Sequence, residues 1–500
     1  MENAATRRDE IGQGSTRRRP SSGIRRVEPT VGTFSNHGAW PTRCAQRKPS
    51  DPISTDRAFA GRGATCSPSQ LNRKWKVRFM ASAFSVMRNI RTLMLGGELR
   101  DAPLDGLRAL SILWVVAFHT VYGYGILAPD ASAAPIFAHR GSILFLMGYL
   151  GVDVFFALSG FLIGRLLLSE FEKTNGLNMR SFYLRRAFRI LPAYYVVLAL
   201  LAASLKGYHA NIWANFLYVN NFLSVNDQYM SWAWSLAIEE QFYLAAPLLM
   251  LLLLRRDRKT QGRLLVGFLV FAVLLRAGIY RWANLDMNLG FALPKGDPTS
   301  VRYFDVLYGK PHTRYGGLLA GIYVAWLLRD KSFKLTSSQR GIITFASLVS
   351  LAWALVPRFI WTGAPSDPRA LVTAVYITEH YAISAAAAGL ILVTLAPGGA
   401  TTLAHRVLSL KVFYPIAQLS YSAYLIHPLV IMGTYSGMDL KGTALRMRDF
   451  PVYAVAFAVG TLFVSAIIYV FVERPFMNMR SRFEGGQAPA PLAPATRPLS

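Results

Sequence analysis

The stretch Gly151-Val152-Asp153-Val154-Phe155-Phe156-Ala157-Leu158-Ser159-Gly160-Phe161-Leu162-Ile163 decides the fold. It lies at the heart of an apolar block over 143–168. A block of about 20 apolar residues is the length that spans the hydrocarbon core of a bilayer. Lipid offers backbone groups no partner, so open loops and free strands cannot cross it and such a block crosses as a helix. Working outward, further blocks stand near 105–123, 190–206, 236–254, 264–280, 315–328, 341–357, 371–395, 412–433 and 452–472. The sequence therefore predicts an all-α integral membrane protein of about ten transmembrane helices. The block at 315–328 is short. Ile212–Leu223 is apolar but too short to cross, and reads as interfacial or re-entrant.

Composition agrees. The 500-residue chain is 53% hydrophobic and 16% charged, with a mean hydropathy of +0.29. Soluble domains carry about 25% charged residues, and the deficit points to lipid as the solvent. The net charge of +27 has two readings. One is nucleic-acid binding; the other is charge that orients membrane helices and binds anionic lipid. A hydrophobic bundle has no extended surface for a duplex, so the bilayer is retained as a partner and nucleic acid is not. Cys44 and Cys66 both precede the first span. They supply neither a disulfide framework nor a zinc-type cluster in the membrane core, and no metal site is expected.

Residues 1–78 are rich in Arg, Ser, Gly and Pro, as in Thr16-Arg17-Arg18-Arg19-Pro20. They cannot bury enough apolar surface to fold alone, and they lack the apolar core of a signal peptide. They read as a disordered basic tail, or as sequence upstream of a true start at Met80; lipid binding or targeting is a further reading. Within 79–100, Phe79, Ala83, Val86, Met87, Ile90 and Met94 fall at helical spacing with Arg88 and Arg91 between them, the pattern of a short interfacial helix. The membrane domain runs over 101–480, and a Pro/Ala-rich disordered tail over 481–500. Ten spans put both termini on one side. Arg255, Arg256, Arg258 and Lys259, then Arg329, Lys331, Lys334 and Arg340, favour the cytoplasm for that side, although the opposite loop at 281–314 carries five cations. No internal repeat is evident, which weakens a secondary-transporter reading.

Ionisable residues inside a bilayer are costly and mark function. Arg108 and His119 lie eleven positions apart, about three helical turns and roughly 16 Å along one face. Asp105 can pair with Arg108. A snorkelling Arg and a structural His are the bland alternative. Asp153 needs a partner, which an Arg or His on a neighbouring helix would supply. Ser159 and Gly160 read either as close helix packing or as a slot for an acyl chain. Arg185, Arg186 and Arg189 open the third span, as a phosphate clamp or as ordinary anchoring. Glu239 and Glu240 enter a span from its outer end, where one of them could orient His119; the alternative is a helix N-terminus favouring acidic residues. His312 and Arg314 are expected at the outer face, and Tyr424 and His427 near the outer end of the ninth span. His427 reads equally as an acceptor contact or a helix end cap. Glu473 is expected to partner an inner-face Arg.

Taken together and in this order, these blocks resemble acyltransferase family 3, over roughly residues 100–480. The blocks are Arg108 with His119, Gly151–Ile163, Arg185-Arg186-Ala187-Phe188-Arg189, Trp234–Tyr243, and Ser420–His427. The resemblance implies a multi-span enzyme that moves acyl groups, mostly acetyl, onto sugars and related acceptors. It implies that Arg108 and His119 are both needed for activity, and that Arg185, Arg186, Arg189, Ser159, Gly160, Glu239 and Glu240 match family motifs. Some relatives add a hydrolase-type domain that receives the acyl group. Nothing after the tenth span is expected to fold into one, so the bundle would complete transfer or hand the group to a separate protein.

The expected mechanism follows. Acyl-CoA, a co-substrate rather than a bound cofactor, docks its phosphates near Arg185, Arg186 and Arg189. His119, held by Glu240 or Glu239, is general base on an acceptor hydroxyl. A carbohydrate or lipid-linked acceptor approaches near His312, Arg314 and His427. Direct attack and an acyl-enzyme on Ser159 are both open. The expected location is a bacterial inner membrane. The runner-up is a proton-coupled transporter or flippase of a glycan or lipid.

Overall fold

The computed structural model describes residues 84–95, 101–204, 210–285, 298–360, 368–440 and 445–483, all within the unit Cys66–Ser500. The expected tail over 1–78 lies outside them, as do both cysteines and most of 481–500. Among the described residues every regular element is helical. The principal helices are α1 (Val86–Leu95), α2 (Ala102–Leu127), α3 (Gly151–Thr174), α4 (Met179–Ser204), α5 (Trp234–Leu254), α6 (Arg258–Trp282), α7 (Tyr315–Leu328), α8 (Ser337–Ile360), α9 (Arg369–Leu395), α10 (Phe413–Ser436), α11 (Phe450–Ile468) and α12 (Arg474–Phe483).

Nine helical segments among these residues are long and apolar enough to cross a membrane. The remaining expected span is α7. Its 14 residues reach only about 21 Å at ~1.5 Å per residue, so it cannot cross alone. It lies inside the bundle with Gly316–Leu319, Gly321, Ile322 and Val324–Trp326 all buried, and it shares the crossing with the turns before it: Arg276 of α6 reaches Leu307 ahead of α7, and Arg258 at the other end of α6 pairs with Asp330 beyond it. Short segments at Pro298–Tyr303, Phe304–Tyr308 and Pro311–Thr313 lead the chain to it. The helices around it turn apolar residues outward, as α6 does with Phe268, Val270, Phe271 and Leu274. In a membrane that face is satisfied by lipid. Ile212–Leu223 does not cross: it is a single turn, Ile212–Phe216, and a 3₁₀ turn at Asn220–Phe222.

Glycine sets the contact at the centre. A Cβ on Gly160 of α3 would overlap the Leu318 carbonyl of α7, and one on Gly321 of α7 would overlap the Ala157 carbonyl of α3. Small residues let two backbones approach this closely. Gly160→Val is expected to cost about 3 kcal/mol, the upper end for overpacking, because the obstacle is backbone rather than a movable side chain. Thermal unfolding in detergent checks this; an unchanged midpoint would mean that α3 and α7 do not meet at Gly160.

Two π-turns interrupt the helical ladders, at Phe304–Tyr308 and at Tyr469–Glu473 between α11 and α12. Side chains from elsewhere use a carbonyl in each. Leu307 O accepts from Arg276 Nη1 at 3.1 Å and from Thr313 Oγ1 at 2.5 Å. Val470 O accepts from Asn89 Nδ2 at 3.0 Å. That bond docks α1 onto the last helices, helped by Tyr414 OH donating to Thr92 O at 3.1 Å and by Leu93 packing on Leu419, Tyr469 and Val470. The outward face of α1 carries Met87, Met94 and Leu95, the amphipathic character expected of it.

Candidate active site

His119 projects from α2 and meets His427 of α10, with His427 Nε2 and His119 Nδ1 3.1 Å apart. Backbone carbonyls fix both tautomers. His427 Nδ1 lies 3.1 Å from Ala423 O, and a carbonyl only accepts, so the His427 proton is on Nδ1 and its Nε2 is an acceptor. His119 Nδ1 lies 2.9 Å from Val115 O, so it carries the other proton, shared between Val115 O and His427 Nε2. The lone pair of His119 is therefore on Nε2, which has no protein partner among the described residues. His427 is fully buried, whereas His119 keeps part of its surface accessible.

The expected partnership of His119 with Glu239 or Glu240 is not what the fold builds. Glu239 accepts from Tyr243 OH at 2.7 Å and faces Ser159 and Arg186, while Arg186 stacks 5.0 Å above the Tyr243 ring. Helical rise gives the reason. Ser235, one turn earlier on the same face of α5, is at the level of the histidines, and Glu239 lies about 6 Å further along. The Ser235 hydroxyl shares a 2.6 Å hydrogen bond with Tyr424 OH, Tyr424 OH donates to Trp232 O at 2.8 Å, and the Tyr424 ring is 5.6 Å from His427. Ser159 thus belongs to the glutamate group, and Gly160 to the α3–α7 contact.

The three arginines at the start of α4 separate. Arg185 pairs with Glu170 at 3.2 Å, Arg186 turns to Tyr243, and Arg189 is exposed. Arg186 and Arg189 nevertheless share an electrostatic neighbourhood with Arg108, which pairs with Asp105 at 3.4 Å as expected. Three guanidiniums from two helices thus converge at the basic end of the bundle, an arrangement suited to a multiply charged anion. Glu473 accepts from the Ser422 hydroxyl, and the Arg189 charge acts on it.

A second buried cluster lies beside the histidines. Asp153 has both kinds of partner its sequence context demanded: Arg314 Nη2 at 3.0 Å and His380 Nδ1 at 2.8 Å. Arg314 was expected at the outer face, open to an acceptor. It is instead 2% exposed, caged by Phe156, Trp234 and Tyr308 with ring centres 5.6, 5.2 and 4.8 Å away. His312 does remain exposed. Nearby, Lys310 donates to Asn221 O at 2.6 Å. Burial holds the Lys310 ammonium below the usual lysine range, against the pull of Asp305.

The sequence reading passed over Arg276, Glu379 and His380, all buried. Arg276 reaches Leu307 O, Tyr303 OH and Tyr376 O, and Glu379 lies 3.7 Å from His380 Nε2. The signal was available, since all three interrupt apolar spans at 264–280 and 371–395. Among the described residues no three His, Cys, Asp or Glu side chains are arranged to hold a metal ion.

The family profile of the acyltransferase domain of family 3 matches residues 101–470, which includes every residue of these clusters except Glu473. Similar proteins include the peptidoglycan O-acetyltransferase OatA of Listeria monocytogenes, 26% identical over 74% of this chain and 55% of its own length. A Staphylococcus aureus protein named as an O-acetyltransferase is 28% identical over 77% of this chain and 60% of its own. The nose resistant to fluoxetine protein 6 of Caenorhabditis elegans is 27% identical over 66% of this chain and 44% of its own. The chain thus spans between 44% and 60% of the length of these relatives. No solved structure matches significantly. With its helical bundle, its buried ionisable residues and a profile match over 101–470, the chain belongs to acyltransferase family 3.

Proposed function

We propose that the chain is a membrane-bound O-acyltransferase that moves an acyl group, acetyl by preference, from acyl-CoA to a hydroxyl of a glycan or lipid-linked acceptor. The observation that carries this is the unshared Nε2 of His119, oriented by His427. The acceptor hydroxyl gives its proton to Nε2 as its oxygen attacks the thioester carbonyl. The C–S bond then breaks, the thiolate takes the proton from the imidazolium, and an ester and free CoA thiol leave. His427 Nε2 accepts from His119 Nδ1 throughout, the role a carboxylate plays in a Ser-His-Asp triad. Arg108, Arg186 and Arg189 receive the CoA phosphates. Direct attack is the simpler route, because Ser159 faces Glu239 rather than a histidine. The bacterial O-acetyltransferases among the relatives support a bacterial plasma membrane as its location, and the Lys/Arg bias supports cytoplasmic termini.

The Asp153, His380 and Glu379 network favours one second reading, a proton-coupled carrier. Radiolabelled acetyl-CoA decides between them: membranes holding the protein should label a glycan or lipid fraction, whereas a carrier would label none. The role of His427 has its own test. Gln can accept from His119 Nδ1 and Leu cannot, so His427→Leu should lower transfer about a hundredfold and His427→Gln far less. Equal losses in both would leave His427 a packing residue.

A further inference from the structure

The basic end of α6 carries a groove of about 580 Å³ that the proposed reaction does not use. Lys259 and Arg263 of α6 form one wall, and Tyr323 and Trp326 of α7 the other. The two cations are four residues apart on one helix, so they share a side. No carboxylate among the described residues pairs with either. Their neighbours are different: Arg258 is held by Asp330 at 3.2 Å and by the Trp326 ring at 4.8 Å, and Arg329 by Glu172 at 2.6 Å. The opposite wall is rigid. The Tyr323 and Trp326 rings stack with centres 5.7 Å apart, and Trp326 Nε1 donates to Gln261 Oε1 at 2.9 Å.

The groove then changes character along α6. It passes Gly267, where a Cβ would meet nothing within 4 Å, beside a run of exposed apolar side chains: Val266 at 45%, Val270 at 52% and Phe271 at 54%. One end therefore offers positive charge with Tyr and Trp, the residue types that sit at headgroup level. The other end opens sideways onto a surface only hydrocarbon satisfies. A soluble anion would leave that apolar half empty, and a zwitterionic lipid would leave the two cations without net countercharge.

We propose that this groove binds one anionic phospholipid, its headgroup phosphate between Lys259 and Arg263 and an acyl chain laid over Gly267 against Tyr323. Basic pockets between spanning helices recognise anionic headgroups by this combination of charge and depth.

The test is lipid binding to the full chain in detergent, followed by native mass spectrometry with phosphatidylglycerol and phosphatidylcholine of identical chains. Wild type should prefer phosphatidylglycerol roughly tenfold or more. Lys259→Gln with Arg263→Gln should bring it down to the phosphatidylcholine level. Gly267→Leu, which enters open space, should weaken both lipids while leaving the thermal midpoint unchanged. Glycerol phosphate should not displace the bound lipid. Equal binding of the two lipids by wild type, wild-type preference in the double variant, undiminished binding to Gly267→Leu, or displacement by glycerol phosphate would each overturn the proposal. The readout is binding alone, so failure of the acyltransferase reading would leave this result standing.

Discussion

His119→Ala should leave a folded protein whose acyl transfer has fallen about a thousandfold, the middle of the range for loss of a positioned general base. Folding survives because His119 is only half-buried and its side chain bonds to one backbone carbonyl and one other side chain. Chemistry does not survive, because Ala offers nothing to accept the hydroxyl proton. The neighbouring His427 does not replace it: its Nε2 stands behind the His119 ring, 3.1 Å from Nδ1 rather than at the Nε2 position, and it has no exposed surface. Two readouts check this, label entering the acceptor fraction and release of CoA thiol. Equal labelling by wild type and variant would remove His119 from the reaction while leaving the family assignment intact.

Asp153→Ala should be the most destabilising single change in the bundle, by about 3–5 kcal/mol, the cost of leaving a buried cation without its counter-charge. Arg314 has no other carboxylate within ion-pair distance among the described residues, and its Nε and Nη1 have no hydrogen-bond partner there. His380 loses its Nδ1 partner in the same step. The cost is conditional on Arg314 staying charged in place. Adding Arg314→Met should therefore recover most of the loss, since replacing both members of a buried pair by apolar groups is often near neutral. The measurement is the thermal midpoint of the purified single and double variants. A stable Asp153→Ala protein that has lost acyl transfer would make the cluster part of the chemistry rather than a clamp on α3, α7 and α9.

The spans were legible because lipid imposes one simple rule on length and polarity, and the family was legible because its blocks recur in order along the chain. The need of Asp153 for an Arg or His was legible for the same reason: an apolar run cannot leave a carboxylate alone. What the sequence did not hold was azimuth. His119 and His427 are 308 positions apart, and neither segment states which neighbour its face will meet, so the sequence pointed His119 to a glutamate and left His427 as an acceptor contact or a helix end cap. The depth of Arg314 was misread because α7 is too short to place from hydropathy alone. Gly160 carried two meanings, and only the position of Leu318 identified the one the backbone uses. Arg276, Glu379 and His380 carry the same signal as Asp153, since each is an ionisable residue inside an apolar span.

The π-turns have a consequence for how this chain can change over evolutionary time. Each one holds a residue more than a regular helical turn would, so everything after it is rotated by the angle of that extra residue. At Tyr469–Glu473 the insertion sets the phase that brings Glu473 to Ser422; at Phe304–Tyr308 it sets the phase that brings Tyr308 to Arg314. In such segments length carries more information than identity. Many substitutions there would keep the phase, while loss of a single residue would relax the ladder and turn both partners away together. Homologous chains should therefore vary more in spelling than in count across these five-residue windows, Tyr308 and Glu473 aside.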